Sequence, residues 1–140
     1  MLVNPYLFFN GRCQEALDFY QEALGAEVQF LLRYKDSPEQ VDPARVPPGS
    51  EDMVMHVSFK IGETVLMGSD GCPTEPSKFE GFSLSLQPDG IPEAERLFAA
   101  LSEGGEVRMP MGKTFYSPAF GMVTDRFGIG WMVYVPQPMG

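Results

Sequence analysis

Clustered basic residues, histidine and cysteine are what this chain has least of. Across 140 residues, 10 Lys and Arg stand against 19 Asp and Glu, a net charge of −9 with the histidine neutral. The cations are nowhere concentrated, so no surface can neutralise a row of phosphates, and nucleic-acid binding is not expected. The acidic balance serves solubility. Two cysteines, Cys13 and Cys72, lack a CxxC spacing and fit a reducing compartment; they neither prove nor require a disulfide. No apolar run approaches the roughly 18 residues of a membrane helix. The opening residues MLVNPY have neither the basic start nor the long apolar segment of a secretory signal. A soluble, cytoplasmic protein with no membrane partner is expected. With 44% apolar and 21% charged residues, the chain is one domain's worth of polypeptide with a real core.

What is present is periodic. From Ala119 to Val135, two apolar runs flank Thr124-Asp125-Arg126-Phe127-Gly128, a β-hairpin in which Asp125 bonds the turn backbone and Gly128 supplies a positive φ. Its second arm, Ile129–Val135, is apolar throughout and so predicts an interior strand covered on both sides. Before it, Pro5–Phe9 reads as a strand and Asn10-Gly11 as a turn. Ala16, Phe19, Tyr20 and Ala23 then form a helical stripe that Gly25 ends. Ala26–Tyr34 is a second strand. Met53–Ile61 alternates, with Met55, Val57 and Phe59 on one face and His56, Ser58 and Lys60 on the other, and Thr64–Ser69 returns beside it. Lys35–Asp52 breaks all periodicity and reads as a lid or a disordered loop. The pattern then restarts: Phe82–Gln87 is a strand, and Ile91, Ala94, Leu97, Phe98 and Leu101 line a helix ended by Gly104-Gly105. Glu106-Val107 opens a strand, a Pro/Gly/Lys loop follows, and the hairpin closes the chain.

Glu15-Ala16 matches Glu93-Ala94, and Gly25-Ala26-Glu27-Val28 matches Gly104-Gly105-Glu106-Val107. The chain is therefore expected to be α+β, a β-α-β-β-β module used twice: module one about 1–70, a linker about 71–80, module two about 81–136. In this setting the segments PYLFFNGRCQEALDFYQEALGAEV, MHVSFKIG, VLMGSDG, GFSLSL and TFYSPAFGMVTDRFGIGWMVYV resemble the vicinal oxygen chelate superfamily of glyoxalase I, bleomycin and fosfomycin resistance proteins and extradiol dioxygenases, and within it the PhnB-like branch. The resemblance implies a glyoxalase/bleomycin-resistance-like fold and frequent dimerisation, here a homodimer. It also implies a link to phosphonate metabolism, for which the sequence has no phosphate-cradling glycine loop or arginine cluster. It leaves the reaction open, because enzymes and binding proteins share the scaffold.

Metal-dependent members resembling glyoxalase I place His, Gln or Glu on the first and last strands of each module. The corresponding positions here are Pro5, Leu66 or Met67, Phe82 and Met132, none a hard nitrogen or oxygen ligand. Neither a metal nor another cofactor is expected. His56 remains as a candidate acid or base, with Asp70 or Tyr134 as partner, although Asp70 also suits a turn. Phe9, Ser69, Phe115, Tyr116, Met132 and Tyr134 are the expected ligand-contacting residues, the last two sharing a strand face. Cys13 near a helix start is either an activated thiol or inert packing. Two functions follow: metal-independent binding or sequestration of a small molecule in an apolar and aromatic cavity, or a lyase, transferase or isomerase using His56. A different alignment of the ligand strands would restore a metal-dependent glyoxalase-like enzyme.

Overall fold

The computed structural model describes residues 1–37, 49–71 and 78–136. The chain divides into two compact units, Met1–Ser77 and Lys78–Gly140. The first contains β1 (Tyr6–Phe8), α1 (Cys13–Leu24), β2 (Glu27–Arg33), β3 (Val54–Ile61) and β4 (Thr64–Ser69). The second contains β5 (Leu84–Leu86), α2 (Ile91–Ser102), β6 (Glu106–Gly112), β7 (Phe120–Thr124) and β8 (Gly130–Tyr134). Each is a β-α-β-β-β module whose four strands make one sheet, in the orders β1-β4-β3-β2 and β5-β8-β7-β6. The first and last strands of each module pair in parallel and the other pairs are antiparallel. No helix among the described residues is long and apolar enough to cross a membrane.

The topology follows from turn chemistry and one helical stripe per module. Asn10 and Gly11 take φ of 53° and 83°, which swings the chain from β1 into α1. Cys13, Ala16, Leu17, Tyr20 and Ala23 make the buried face of α1, which lies against β3, and Gly25 ends the helix in the left-handed conformation. Ala94, Leu97, Phe98 and Leu101 do the same for α2 against β6, β7 and β8. Each sheet thus has a helix-covered face and an opposite face, called open below. Interior strand β8 is paired with β5 on one side and β7 on the other. Its residues alternate: Trp131 and Val133 are buried toward the helix, while Gly130, Met132 and Tyr134 are half-buried on the open face.

Five expectations need correction. Met55 does not lead the buried face of β3. Leu32 pairs with His56 and Arg33 with Val54, so a bulge at Met55 turns Val54 into the core instead. The expected Pro/Gly/Lys loop after Val107 is strand, because β6 runs through Pro110 to Gly112 at a sheet edge, where a missing N–H leaves no ladder bond unmade. Phe82 lies outside the ladder, since β5 spans only Leu84–Leu86, and α2 ends at Ser102, ahead of the two glycines. The ends of Lys35–Asp52 are structured: Tyr34 and Lys35 donate amides to Met53 and Glu51, and Lys35 Nζ meets Asp52 at 2.9 Å. Residues 38–48 of that stretch, Cys72 and most of the expected linker lie outside the described residues.

Candidate functional site

On the open face of module one, register places side chains in rows. Tyr6, Met67, Ser58 and Phe30 form one row; Phe8 pairs with Ser69, and His56 pairs with Leu32, in the next. His56 lies among aromatic rings, with Tyr6 at 5.5 Å and Phe30 at 6.3 Å between centroids, and Tyr6 at 5.0 Å from Phe8. Tyr6 Oη and His56 Nδ1 are 3.1 Å apart, a hydrogen bond that fixes the imidazole and leaves Nε2 on the other side of the ring. This is an imidazole framed by aromatic side chains, suited to hold a flat ligand or to move one proton.

Asp70 is not part of that cluster. It is buried, its Oδ1 accepts the Cys13 amide at 2.8 Å and its Oδ2 the Val54 amide at 2.6 Å. The carboxylate therefore caps the first turn of α1, which has no side-chain cap of its own, and pins the start of β3. Both oxygens are committed to backbone, and the pairing of Asp70 with His56 expected from sequence does not form. Ser69 is buried and its Oγ accepts the Gly71 amide at 3.2 Å. Phe9 also turns inward, against the Tyr20 ring at 6.3 Å and beneath Gly68, so it belongs to the helix-side core. The open-face aromatics of this strand are Tyr6 and Phe8; the alternation in PYLFF, with Leu7 buried between them, was the signal for both. Pro5 precedes the strand and gives its carbonyl to the Met67 amide. Of the two positions left open on β4, Met67 faces outward and Leu66 is buried. The Cys13 thiol is buried at the base of α1; burial, then the Asp70 charge, pushes it up to about 12, the opposite of an activated thiol.

In module two the open face has two ends. At one, Phe115, Tyr116, Phe120 and Tyr134 form a ring ladder, with centroids 4.9, 5.5 and 6.3 Å apart along it. Phe115 is 93% exposed, whereas Phe120 beneath Tyr116 is buried. Met132 pairs with Met122 midway along the hairpin. At the other end, beside the turn, a cleft of about 350 Å³ is lined by Phe79, Phe82, Ser83, Arg108, Met122 and Thr124, with Gly128 and Gly130 contributing backbone. Arg108 Nε donates to Thr124 Oγ1 at 3.0 Å, and its Nη2 lies 3.5 Å from Glu106. Trp131 is held by Nε1–H donation to Asp125 Oδ2 at 2.8 Å, while Asp125 Oδ1 accepts the Phe127 and Ile129 amides. The expected ligand residues of this module thus sit away from the cleft, which sequence reading missed. A lone arginine in the edge segment EVRMPMG was its only sequence trace.

Residues 2–134 match the family described as 3-demethylubiquinone-9 3-methyltransferase. The PhnB protein from Bacillus cereus shares the fold at a TM-score of 0.78 and 25% identity, over 96% of this chain and 99% of that one. The chain belongs to this PhnB-like family. Protein PA1353 from Pseudomonas aeruginosa is 45% identical with a TM-score of 0.84, over 99% of both chains. Protein YjdN of Escherichia coli strain K12 is 32% identical over 96% of this chain and 95% of its own length. The PhnB-like fold is that of the glyoxalase/bleomycin resistance/dioxygenase superfamily.

Metal-dependent proteins that the sequence resembles hold a divalent ion, and the open-face donors of this PhnB-like chain do not fit one. On β1, β4, β5 and β8 the outward side chains include Tyr6, Phe8, Met67, Ser85, Met132 and Tyr134. Hydroxyls, thioethers and rings supply no carboxylate or imidazole to replace the water of a divalent cation. His56 stands on β3 and hydrogen-bonds Tyr6.

Proposed function

We propose that this PhnB-like protein binds or sequesters a small organic molecule without the superfamily's divalent metal, using the aromatic and thioether surface of its open sheet faces. The observation carrying this reading is the donor set on β1, β4, β5 and β8, where Tyr6, Phe8, Met67, Ser85, Met132 and Tyr134 replace hard ligands. A divalent ion left among such groups would be desolvated without compensation, at a cost well above several kcal/mol. Ligand burial against rings and methionines needs no such ion. The reading includes a homodimer in the cytoplasm, which sedimentation of the purified protein and fractionation of cells would check. Calorimetric titration of chelator-stripped protein with Ni²⁺, Zn²⁺, Mn²⁺ and Fe²⁺, paired with thermal melting, tests the central claim. The expected result is no stoichiometric heat and no rise in melting temperature. One stabilising equivalent would overturn it in favour of a glyoxalase-like metalloenzyme.

A second reading is favoured by the 3.1 Å contact between Tyr6 Oη and His56 Nδ1 and by the transferase description of the family. In it, His56 takes a proton from an acceptor substrate and Tyr6 holds the tautomer that leaves Nε2 basic. His56→Gln would then abolish turnover with the melting temperature preserved, and Tyr6→Phe would lower the rate rather than remove it.

A further inference from the structure

The turn end of the β7–β8 hairpin is built to leave space. Gly128 takes a φ of 92° with the Phe79 ring 3.8 Å from where a side chain would start, and a Cβ on Gly130 would come within 3.1 Å of Ser83 Oγ. Glycine at both places on either side of Ile129 keeps bare backbone as the floor of the 350 Å³ cleft. Phe79 and Phe82 form apolar walls, and Trp131 is locked in place by Asp125. Arg108 is the single charged side chain among the described residues of the lining. Its Nε–H is spent on Thr124, which orients the guanidinium plane, and Glu106 engages one Nη at 3.5 Å. A guanidinium carries five N–H donors, so the fork retains donors for a planar acid group. The nearby Glu106 carboxylate offsets part of the charge, which suits one negative charge better than two.

We propose that this cleft binds a small aromatic monoanion, a flat ring bearing one carboxylate, with Arg108 taking the acid and Phe79 and Phe82 the ring. The proposal rests on the small-molecule-binding reading above and names the ligand class for module two. The volume lies at the small end of organic-ligand sites, which fits a single ring system rather than a long chain. Neutral aromatics lose the guanidinium contact, and dianions meet Glu106.

Thr124 and Gly130 line the cleft, so their amide resonances report on it, while the single indole N–H, on the helix-facing side of β8, serves as an internal control for the fold. Titration of the ¹⁵N-labelled protein with benzoate, benzamide and phenylphosphonate, each to about 10 mM, covers millimolar affinities. Benzoate is expected to move the Thr124 and Gly130 amides with saturation, at least tenfold more tightly than benzamide or phenylphosphonate. Arg108→Gln should weaken benzoate at least tenfold, leave benzamide unchanged and retain the dispersion of a folded spectrum; Arg108→Lys, keeping charge without the fork, should fall between. Equal binding of benzoate and benzamide, or no effect of Arg108→Gln, overturns the anion assignment while small-molecule binding stands. Tighter phenylphosphonate binding would make the ligand a dianion. Shifts confined to Tyr6 and His56 would place the ligand in module one, and unmoved Thr124 and Gly130 amides would reject the cleft.

Discussion

The two modules share one topology and, among the described residues, each buries one aspartate, yet the two carboxylates do different work. Asp125 accepts from Phe127, Ile129 and Trp131, two, four and six positions ahead, and so closes a hairpin turn locally. Asp70 accepts from Val54, 16 residues away, and from Cys13, 57 residues away, and so ties the helix start and a strand start to the end of β4. The open faces diverge in parallel. Module one frames an imidazole with Tyr6, Phe8 and Phe30, whereas module two opens a cleft around a guanidinium. Repeating a scaffold evidently fixes strand order and helix packing, and leaves the chemistry of each open face free to differ.

Removing each aspartate is the strongest way to break that comparison. Asp125→Ala strands three donors, including the Trp131 indole, and is expected to cost about 4 kcal/mol at about 1–3 kcal/mol per unsatisfied buried group. Urea unfolding measures the loss, and native-state Trp131 emission should shift as the ring loses its anchor. Asp70→Ala strands two buried amides and is expected to cost about 3 kcal/mol, with native Trp131 emission unchanged. Should Asp70→Ala move that emission as far as Asp125→Ala does, the two carboxylates would not be serving separate modules.

The same contrast explains what could be read from the sequence. The turn role of Asp125 is legible because its partners lie within six residues, as is the Gly25 stop, and the repeat with its amphipathic helices yields the doubled β-α-β-β-β fold. Asp70 is not legible in this way, since its partners come from a strand and a helix that only folding brings together; at a strand end it reads first as a turn residue and second as a catalytic group. Bulges hide the rest. One at Met55 reverses the expected inward residue of β3, and the irregular register around Met109 lets Arg108 reach Thr124 on the open face. A period-two reading cannot see an inserted residue. Phe115 and Tyr116 read correctly as aromatic surface, but their distance from the cleft depends on where the 113–119 loop returns.

Glycines sharpen the comparison at smaller cost. Gly25 and Gly104 follow the helices at matching places in the repeat, and Gly105 stands one residue further on. Gly25 has a φ of 69° and nothing within 4 Å of where a methyl would stand, so Gly25→Ala should cost only backbone strain, about 1 kcal/mol. A methyl on Gly105 would run into the Thr124 carbonyl and meet Asp125 Cα at 3.0 Å, so Gly105→Ala should cost about 2–3 kcal/mol. Urea midpoints of the two variants provide the test. Equal losses would mean that the close approach of Gly105 to the hairpin turn costs no more than the left-handed backbone of Gly25.

Cys13 gives the smallest expected effect and the one with a pH signature. Its thiol is raised from the ordinary 9.0 to about 12, by burial first and by the Asp70 charge second. A folded value above the unfolded one means that stability is intact below pH 9 and is lost as pH rises from 9 toward 12, because the unfolded chain releases the proton first. The slope approaches about 1.4 kcal/mol per pH unit, so roughly 1 kcal/mol should disappear between pH 8 and 10. Cys13→Ala removes this component, and the difference between the two unfolding curves isolates it from lysine and tyrosine titration. The native thiol should also resist alkylation by iodoacetamide at pH 8 until urea opens the module. Rapid alkylation in the native state would show that the helix N-terminus, rather than burial against Asp70, governs the thiol, and that this aspartate holds backbone alone.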